Sequence, residues 1–169
     1  MTSIYPGRFQ PFHLGHLKAI NYILKKEKEL IIVIENATES FTLTNPFTAG
    51  ERIEMILNTL KFENIDLSRI FLIPLPNIEN NAQWVNYLKT MLPEFDLCYS
   101  NNNLVKVLMQ ESGIKVRAIP FLKRGQYQGS VIRARIMNNE PWKELVPEQV
   151  YHFIMDKGMD RRIRNISGE

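Results

Sequence analysis

Two histidines three residues apart, His13 and His16, close the run Gly7-Arg8-Phe9-Gln10-Pro11-Phe12-His13-Leu14-Gly15-His16. A short apolar run precedes it and helical spacing begins at about Leu14, so the pair falls at a strand-to-helix turn. Residues three apart at a helix start share a face, which aims both imidazoles at one crevice. The helix N-terminus adds unpaired N–H groups and a partial positive charge suited to phosphate oxygens. Gly15 leaves room for a nucleotide against the backbone, and Arg8 can supply a bidentate clamp. Imidazoles placed this way can donate to negative charge as it grows on a bridging oxygen; a purely structural pair is the competing reading.

A second constellation, Tyr127-Gln128-Gly129-Ser130-Val131-Ile132-Arg133-Ala134-Arg135, lies near the end. Ser130 is a natural N-cap, so the N–H groups after it would form another phosphate cradle with Arg133 in the first turn. Alone, this could be an ordinary cap with a solvated arginine. Beside the first motif the phosphate reading gains, because one triphosphate needs several convergent donors. Arg135, two residues on, points elsewhere. Lys18 and Arg52 are further cations that could face phosphates, although Glu51 and Glu54 offer Arg52 a surface ion pair instead. Trp84, at a predicted helix start, reads by its size as a core anchor.

The elements that must position these residues can be read from hydrophobic spacing. Apolar runs at Ser3–Tyr5, Leu30–Ile34, Ile70–Ile73, Leu97–Tyr99 and Val116–Ile119 predict five buried strands. Helical spacing covers Leu14–Ile23, Ala49–Leu60, Asn81–Leu92 and Leu104–Glu111 between them, then Gly129–Met137 and Pro147–Met155. Regular alternation predicts an α/β fold: a doubly wound, parallel five-stranded sheet with helices on both faces and a helical C-terminal part from about residue 129 to 169. No repeat or linker divides residues 1–169, so one domain is expected, with ligands bound beyond the carboxyl ends of the strands.

Composition fits that picture. With 44% hydrophobic and 23% charged residues over 169, the chain can bury one sizeable core. The net charge of +3 is concentrated in the segment FLKRGQ and the tail DKGMDRRIRN, the latter expected to be a solvated end. That localised excess suits small anionic ligands better than nucleic acid, which would call for a basic face interleaved with aromatics. Cys98, the single cysteine, sits in a predicted strand and allows no intramolecular disulfide. No basic leader precedes an apolar run and no stretch of about 18 apolar residues occurs, so the expectation is a cytoplasmic protein without a membrane partner.

GRFQPFHLGH resembles the signature of the HxGH nucleotidylyltransferase superfamily, in the form seen in archaeal-type nicotinamide-nucleotide adenylyltransferases. The segments Asn45–Ile53, Asn81–Val85 and Tyr99–Asn102 look like the same family, and Gly129–Arg133 is similar to its SGTxIR segment, with Ser130 where threonine is usual. The resemblance implies a Rossmann-like fold and transfer of AMP from ATP to nicotinamide mononucleotide, giving NAD and pyrophosphate. It implies His13, His16, Arg8 and Arg133 as catalytic residues. Gly7, Phe9 and Gly15 join them at ATP, as do Gly129, Ser130 and Ile132. For the mononucleotide it implies Ser40, Phe41, Ile78, Asn81 and Trp84, with Trp84 stacked on the nicotinamide ring, while Asn77 stands where an acidic residue is common. A homo-oligomer, commonly a hexamer, is implied too. No Asp/Glu cluster reads as a metal cage, so Mg²⁺ is expected to arrive with ATP. The alternative is another member of the superfamily acting on pantetheine phosphate or flavin mononucleotide, because the phosphate motifs do not read the acceptor.

Overall fold

A computed structural model describes residues 1–120, 125–166 and 168. The FLKR part of the basic segment, residues 121–124, lies outside the described residues.

The five strands are β1 (Thr2–Gly7), β2 (Glu29–Ile34), β3 (Ile70–Pro74), β4 (Leu97–Tyr99) and β5 (Lys115–Arg117). All pair in parallel in the order β3-β2-β1-β4-β5. The helices are α1 (Leu14–Leu24), α2 (Ala49–Phe62), α3 (Trp84–Met91), α4 (Asn103–Glu111), α5 (Gly129–Met137), α6 (Glu148–Asp156) and α7 (Met159–Ile166). The interior strand β2, ELIIVI, explains the layering. Leu30, Ile32 and Ile34 enter a core with α1, α2 and α5–α7, while Ile31 and Val33 enter a second core with α3 and α4. A strand buried on both faces must be apolar throughout, which is why it reads as an unbroken run. The doubly wound parallel sheet is thus as the alternation predicted.

Three elements depart from expectation. β5 stops at Arg117, short of Ile119, because the Asn101 side chain takes over the backbone pairing: its Nδ2 donates to the Ile119 carbonyl at 2.8 Å and its Oδ1 accepts from the Ile119 N–H at 3.0 Å. The third helix begins as a single 3-10 turn at Asn81–Gln83, capped by Asn80, before continuing from Trp84. The basic tail is a helix rather than a solvated end: α7 buries Met159 and Ile163, four residues apart, against the first core, with its charges on the remaining faces.

The strand order reverses beside β1: the chain moves outward through β2 and β3, then returns to place β4 on the other flank. Crevices form at such switch points, beyond the carboxyl ends of the strands. Both histidines and the start of α5 lie there.

Candidate active site

A cleft of about 370 Å³ opens beyond β1, β4 and β5. Its walls include Tyr5, Pro6, His13, Gly15, His16 and Lys18 on one side and Ser100, Asn101, Ile119, Tyr127, Gln128 and Gly129 on the other.

The histidine pair caps its own helix. His13 is the N-cap of α1; its Nδ1 accepts from the His16 N–H at 3.4 Å, and the His16 Nδ1 accepts from the His13 N–H at 3.2 Å. This is a capping box made of two imidazoles instead of a hydroxyl and a carboxylate. With both Nδ1 atoms occupied as acceptors, each ring must carry its proton on Nε2, leaving an N–H to donate into the cleft. The rings stack with centroids 3.6 Å apart. Burial pulls His13 down to about 3; burial, then the neighbouring His13, holds His16 well below the usual imidazole range. Both are therefore neutral hydrogen-bond donors at physiological pH.

Phe9 supports this arrangement from behind. Its buried ring meets the His16 ring edge-on at 4.6 Å and also packs on Tyr5 and Phe12. The ring is in the core, not on the cleft wall, so only the Phe9 backbone could meet a nucleotide. That backbone has φ of +52°, a conformation bulky residues rarely adopt, held by the packing. Gly7 makes room for the same ring: a Cβ there would stand 3.0 Å from it. Gly15 has a different use from the one expected. A Cβ would come within 2.9 Å of the His13 ring and 3.0 Å of Tyr127, so the missing side chain admits these groups before any nucleotide.

The second constellation meets the first across the cleft. The N-cap of α5 is Gln128, not Ser130, which lies inside the first turn; among the described residues no side chain caps this terminus. Its leading N–H groups are therefore open, a stronger anion site than the capped end expected from Ser130. A Cβ on Gly129 would fall 3.0 Å from the Gln10 carbonyl, the acceptor of a 2.8 Å bond from the Arg133 guanidinium. Buried Gln10 also exchanges two hydrogen bonds with the Phe47 backbone, at 3.0 and 2.9 Å, and so ties three segments together. Ile132 is fully buried in the first core and can act only through the helix it anchors. Burial, then the charge of Arg8, lowers Arg133 below the usual guanidinium range. Arg8 itself is exposed and makes no hydrogen bond or ion pair with its side chain among the described residues. Lys18 lines the cleft with its ammonium 4.8 Å above the Tyr127 ring.

Arg52 fulfils neither reading offered by sequence. It is fully buried, and its guanidinium donates to the carbonyls of Arg8 (2.8 Å), Glu35 (2.6 Å), Asn36 (3.0 Å) and Thr48 (3.2 Å). It is a clamp that gathers the backbone after β1 and β2, while Glu51 pairs with Arg162 of α7.

The residues assigned to the acceptor fall in two places. Trp84 and Asn77 border a narrow crevice with Glu35, Asn36, Pro76 and Tyr87; Ile78 and the exposed Asn81 lie on the same connection between β3 and α3. Phe41, half-exposed and with φ of +57°, lies instead under the Arg162 guanidinium at 4.1 Å, and half-buried Ser40 precedes it in the loop after β2. The structure thus unites His13, His16, Gly15 and Gly129 in one cleft, keeps Trp84 in its own crevice and sets Phe41 against α7. Sequence reasoning quoted Gln10 and Tyr127 within its two motifs and Asn101 within a family-like segment, but gave none of the three a role in the site. Asn101 also lies directly beyond a predicted strand end, where such folds place their ligands.

The switch-point cleft thus brings the imidazole pair at the start of α1 together with the start of α5 in an α/β protein. The Cytidylyltransferase-like family model matches residues 4–151. A curated nicotinamide-nucleotide adenylyltransferase of Saccharolobus solfataricus is 48% identical, over 98% of this chain and 96% of its own length. One of the same description from Ignicoccus hospitalis is 43% identical over 99% of this chain and 98% of its own. The chain belongs to the nicotinamide-nucleotide adenylyltransferases of the Cytidylyltransferase-like family. Among solved structures, a bifunctional NMN adenylyltransferase/ADP ribose pyrophosphatase of Francisella tularensis, complexed with AMP and a manganese ion, superposes with a TM-score of 0.81 at 21% identity. The match covers 97% of this chain, which spans about half of that protein's length, 52%, and it establishes the shared fold.

Proposed function

We infer that the chain transfers the adenylyl group of ATP to nicotinamide mononucleotide, giving NAD and pyrophosphate. The observation that carries the site assignment is the histidine pair, locked with both Nε2–H groups available, opposite the open terminus of α5.

In the proposed reaction an oxygen of the mononucleotide 5′-phosphate attacks the α-phosphorus of ATP. The new O–P bond forms as the bond from the α-phosphorus to the bridging oxygen breaks, and pyrophosphate leaves with that electron pair. The nucleophile is already ionised, so no base is needed. Alignment of the two substrates can supply roughly 7–11 kcal/mol of the barrier, provided their repulsion is offset. His16 donates to the α-phosphate, His13 to the bridging oxygen or leaving group, and Arg8 and Arg133 supply positive charge. The α5 terminus, from Gly129 through Ser130, receives the outer phosphates. Trp84 stacks on the pyridinium ring, to which an indole face is attractive.

Among the described residues no three His, Cys, Asp or Glu side chains are grouped to hold a metal ion. In this reading Mg²⁺ enters as part of the Mg–ATP substrate. No helix among the described residues is long and apolar enough to cross a membrane; a cytoplasmic location belongs to the same proposal. A homo-oligomer, a hexamer by family resemblance, is also part of it.

The test is pyrophosphate release from Mg–ATP with nicotinamide mononucleotide, pantetheine phosphate and flavin mononucleotide offered in turn. Release with the first alone is expected. Release only with another acceptor would overturn the assignment of the Trp84 crevice.

A further inference from the structure

Among the carboxylates withdrawn from solvent, Glu35 differs from the others. Glu27 holds Tyr99 and Arg117, and Glu51 holds Arg162. The half-buried Glu35 carboxylate has no hydrogen-bond or ion-pair partner among the described residues, although its backbone is pinned on both sides: its N–H donates to the Gly7 carbonyl at 2.9 Å and its own carbonyl accepts from Arg52 at 2.6 Å. That anchoring fixes where the side chain leaves the sheet. It borders the crevice formed with Asn36, Asn77, Trp84 and Tyr87. Burial raises its pKa, and the positive charge of Arg8 works in the opposite direction, favouring the ionised form.

An unpaired, partly buried carboxylate is costly, and one that borders a crevice beside the half-buried Trp84 indole is a candidate for ligand recognition. Whatever completes it must bring positive charge or N–H donors. The acceptor assigned above has both, a cationic pyridinium ring and a carboxamide NH₂. Its acid congener, nicotinic acid mononucleotide, brings a carboxylate to the same place. We propose that Glu35 is a specificity determinant of the acceptor crevice, selecting the amide mononucleotide over the acid form by attraction to ring and amide and by repulsion of the carboxylate. Discrimination by like-charge repulsion needs no tighter fit to the preferred ligand.

The proposal rests on the acceptor assignment, and the experiment separates the two. Measure kcat/KM for both mononucleotides with the native protein, E35Q and E35D. The native protein should prefer the amide form, and E35Q should lower the amide-to-acid ratio by about tenfold or more, chiefly by improving the acid form. E35D, which keeps the charge, should retain most of the preference. A native protein inactive with both compounds would sink the acceptor assignment. Native activity with an unchanged ratio in E35Q, or equal losses for both acceptors, would overturn the role of Glu35 alone; were E35Q not to fold, a ratio in the E35N protein equal to the native one would do the same.

Discussion

Replacing Arg52 with methionine tests whether this arginine is a backbone clamp or a phosphate ligand. The native guanidinium satisfies four carbonyl groups, on Arg8, Glu35, Asn36 and Thr48, from a fully buried position. Burial, the leading cause, lowers its pKa to about 10, so it is still charged at pH 7. Hydrogen bonds from a charged donor contribute about 1.5–3 kcal/mol each, and an orphaned buried acceptor costs about 1–3 kcal/mol. Four such losses are partly offset because the guanidinium no longer has to be desolvated and because the loop carbonyls can take up water. A net loss of about 3–5 kcal/mol follows, in line with other disrupted buried networks. For a chain of this size 4 kcal/mol corresponds to a fall in Tm of roughly 8–16 °C. Urea unfolding followed by circular dichroism reads it directly. Arg52→Lys should recover less than half, since one ammonium cannot span acceptors on three segments. A loss below about 1 kcal/mol together with a raised KM for ATP would refute the clamp and return Arg52 to the phosphates.

His16→Ala should lower kcat by about 10²–10³-fold with little change in far-ultraviolet circular dichroism, the usual effect of losing one donor to developing charge; near-native turnover would remove His16 from the chemistry. Because both imidazoles have folded-state pKa values below the usual 6.5, the unfolded chain binds more protons than the folded one at acid pH. The stability contributed by keeping them neutral is thus complete above about pH 6.5 and declines as pH falls toward about 3 for His13. Melting between pH 7 and pH 5 should show a steeper decline for the native protein than for His16→Asn, and equal slopes would contradict the depressed values. Gly129→Ala places a methyl 2.9 Å from the Arg133 guanidinium and 3.0 Å from the Gln10 carbonyl. It should raise KM for ATP more than it changes stability, and an unaltered KM would show that the α5 terminus does not hold the triphosphate.

What the sequence disclosed, and what it did not, divides along physical lines. β2 and the histidine pair were legible because period and spacing are local properties: ELIIVI can lie only between two layers, and residues three apart at a helix start must face together. The role of Arg52 was not, since its partners lie up to 44 residues away and its neighbours Glu51 and Glu54 suggested a surface pair. Ser130 misled as well. It has the chemistry of a cap, but α5 begins at Gly129, as the helical spacing indicated, with Gln128 in the N-cap position, so Ser130 falls inside the first turn. The α7 tail hid its two core residues among charges, and their burial depends on α5 and α6 already being in place.

In the proposed reaction the mononucleotide phosphate displaces pyrophosphate directly at the α-phosphorus, with the protein as scaffold and charge stabiliser. Following the α-phosphorus of labelled Mg–ATP in the presence of nicotinamide mononucleotide tests this most directly. The label should pass wholly into NAD, with one pyrophosphate released for each. Label recovered on the protein, or as free AMP, would contradict it.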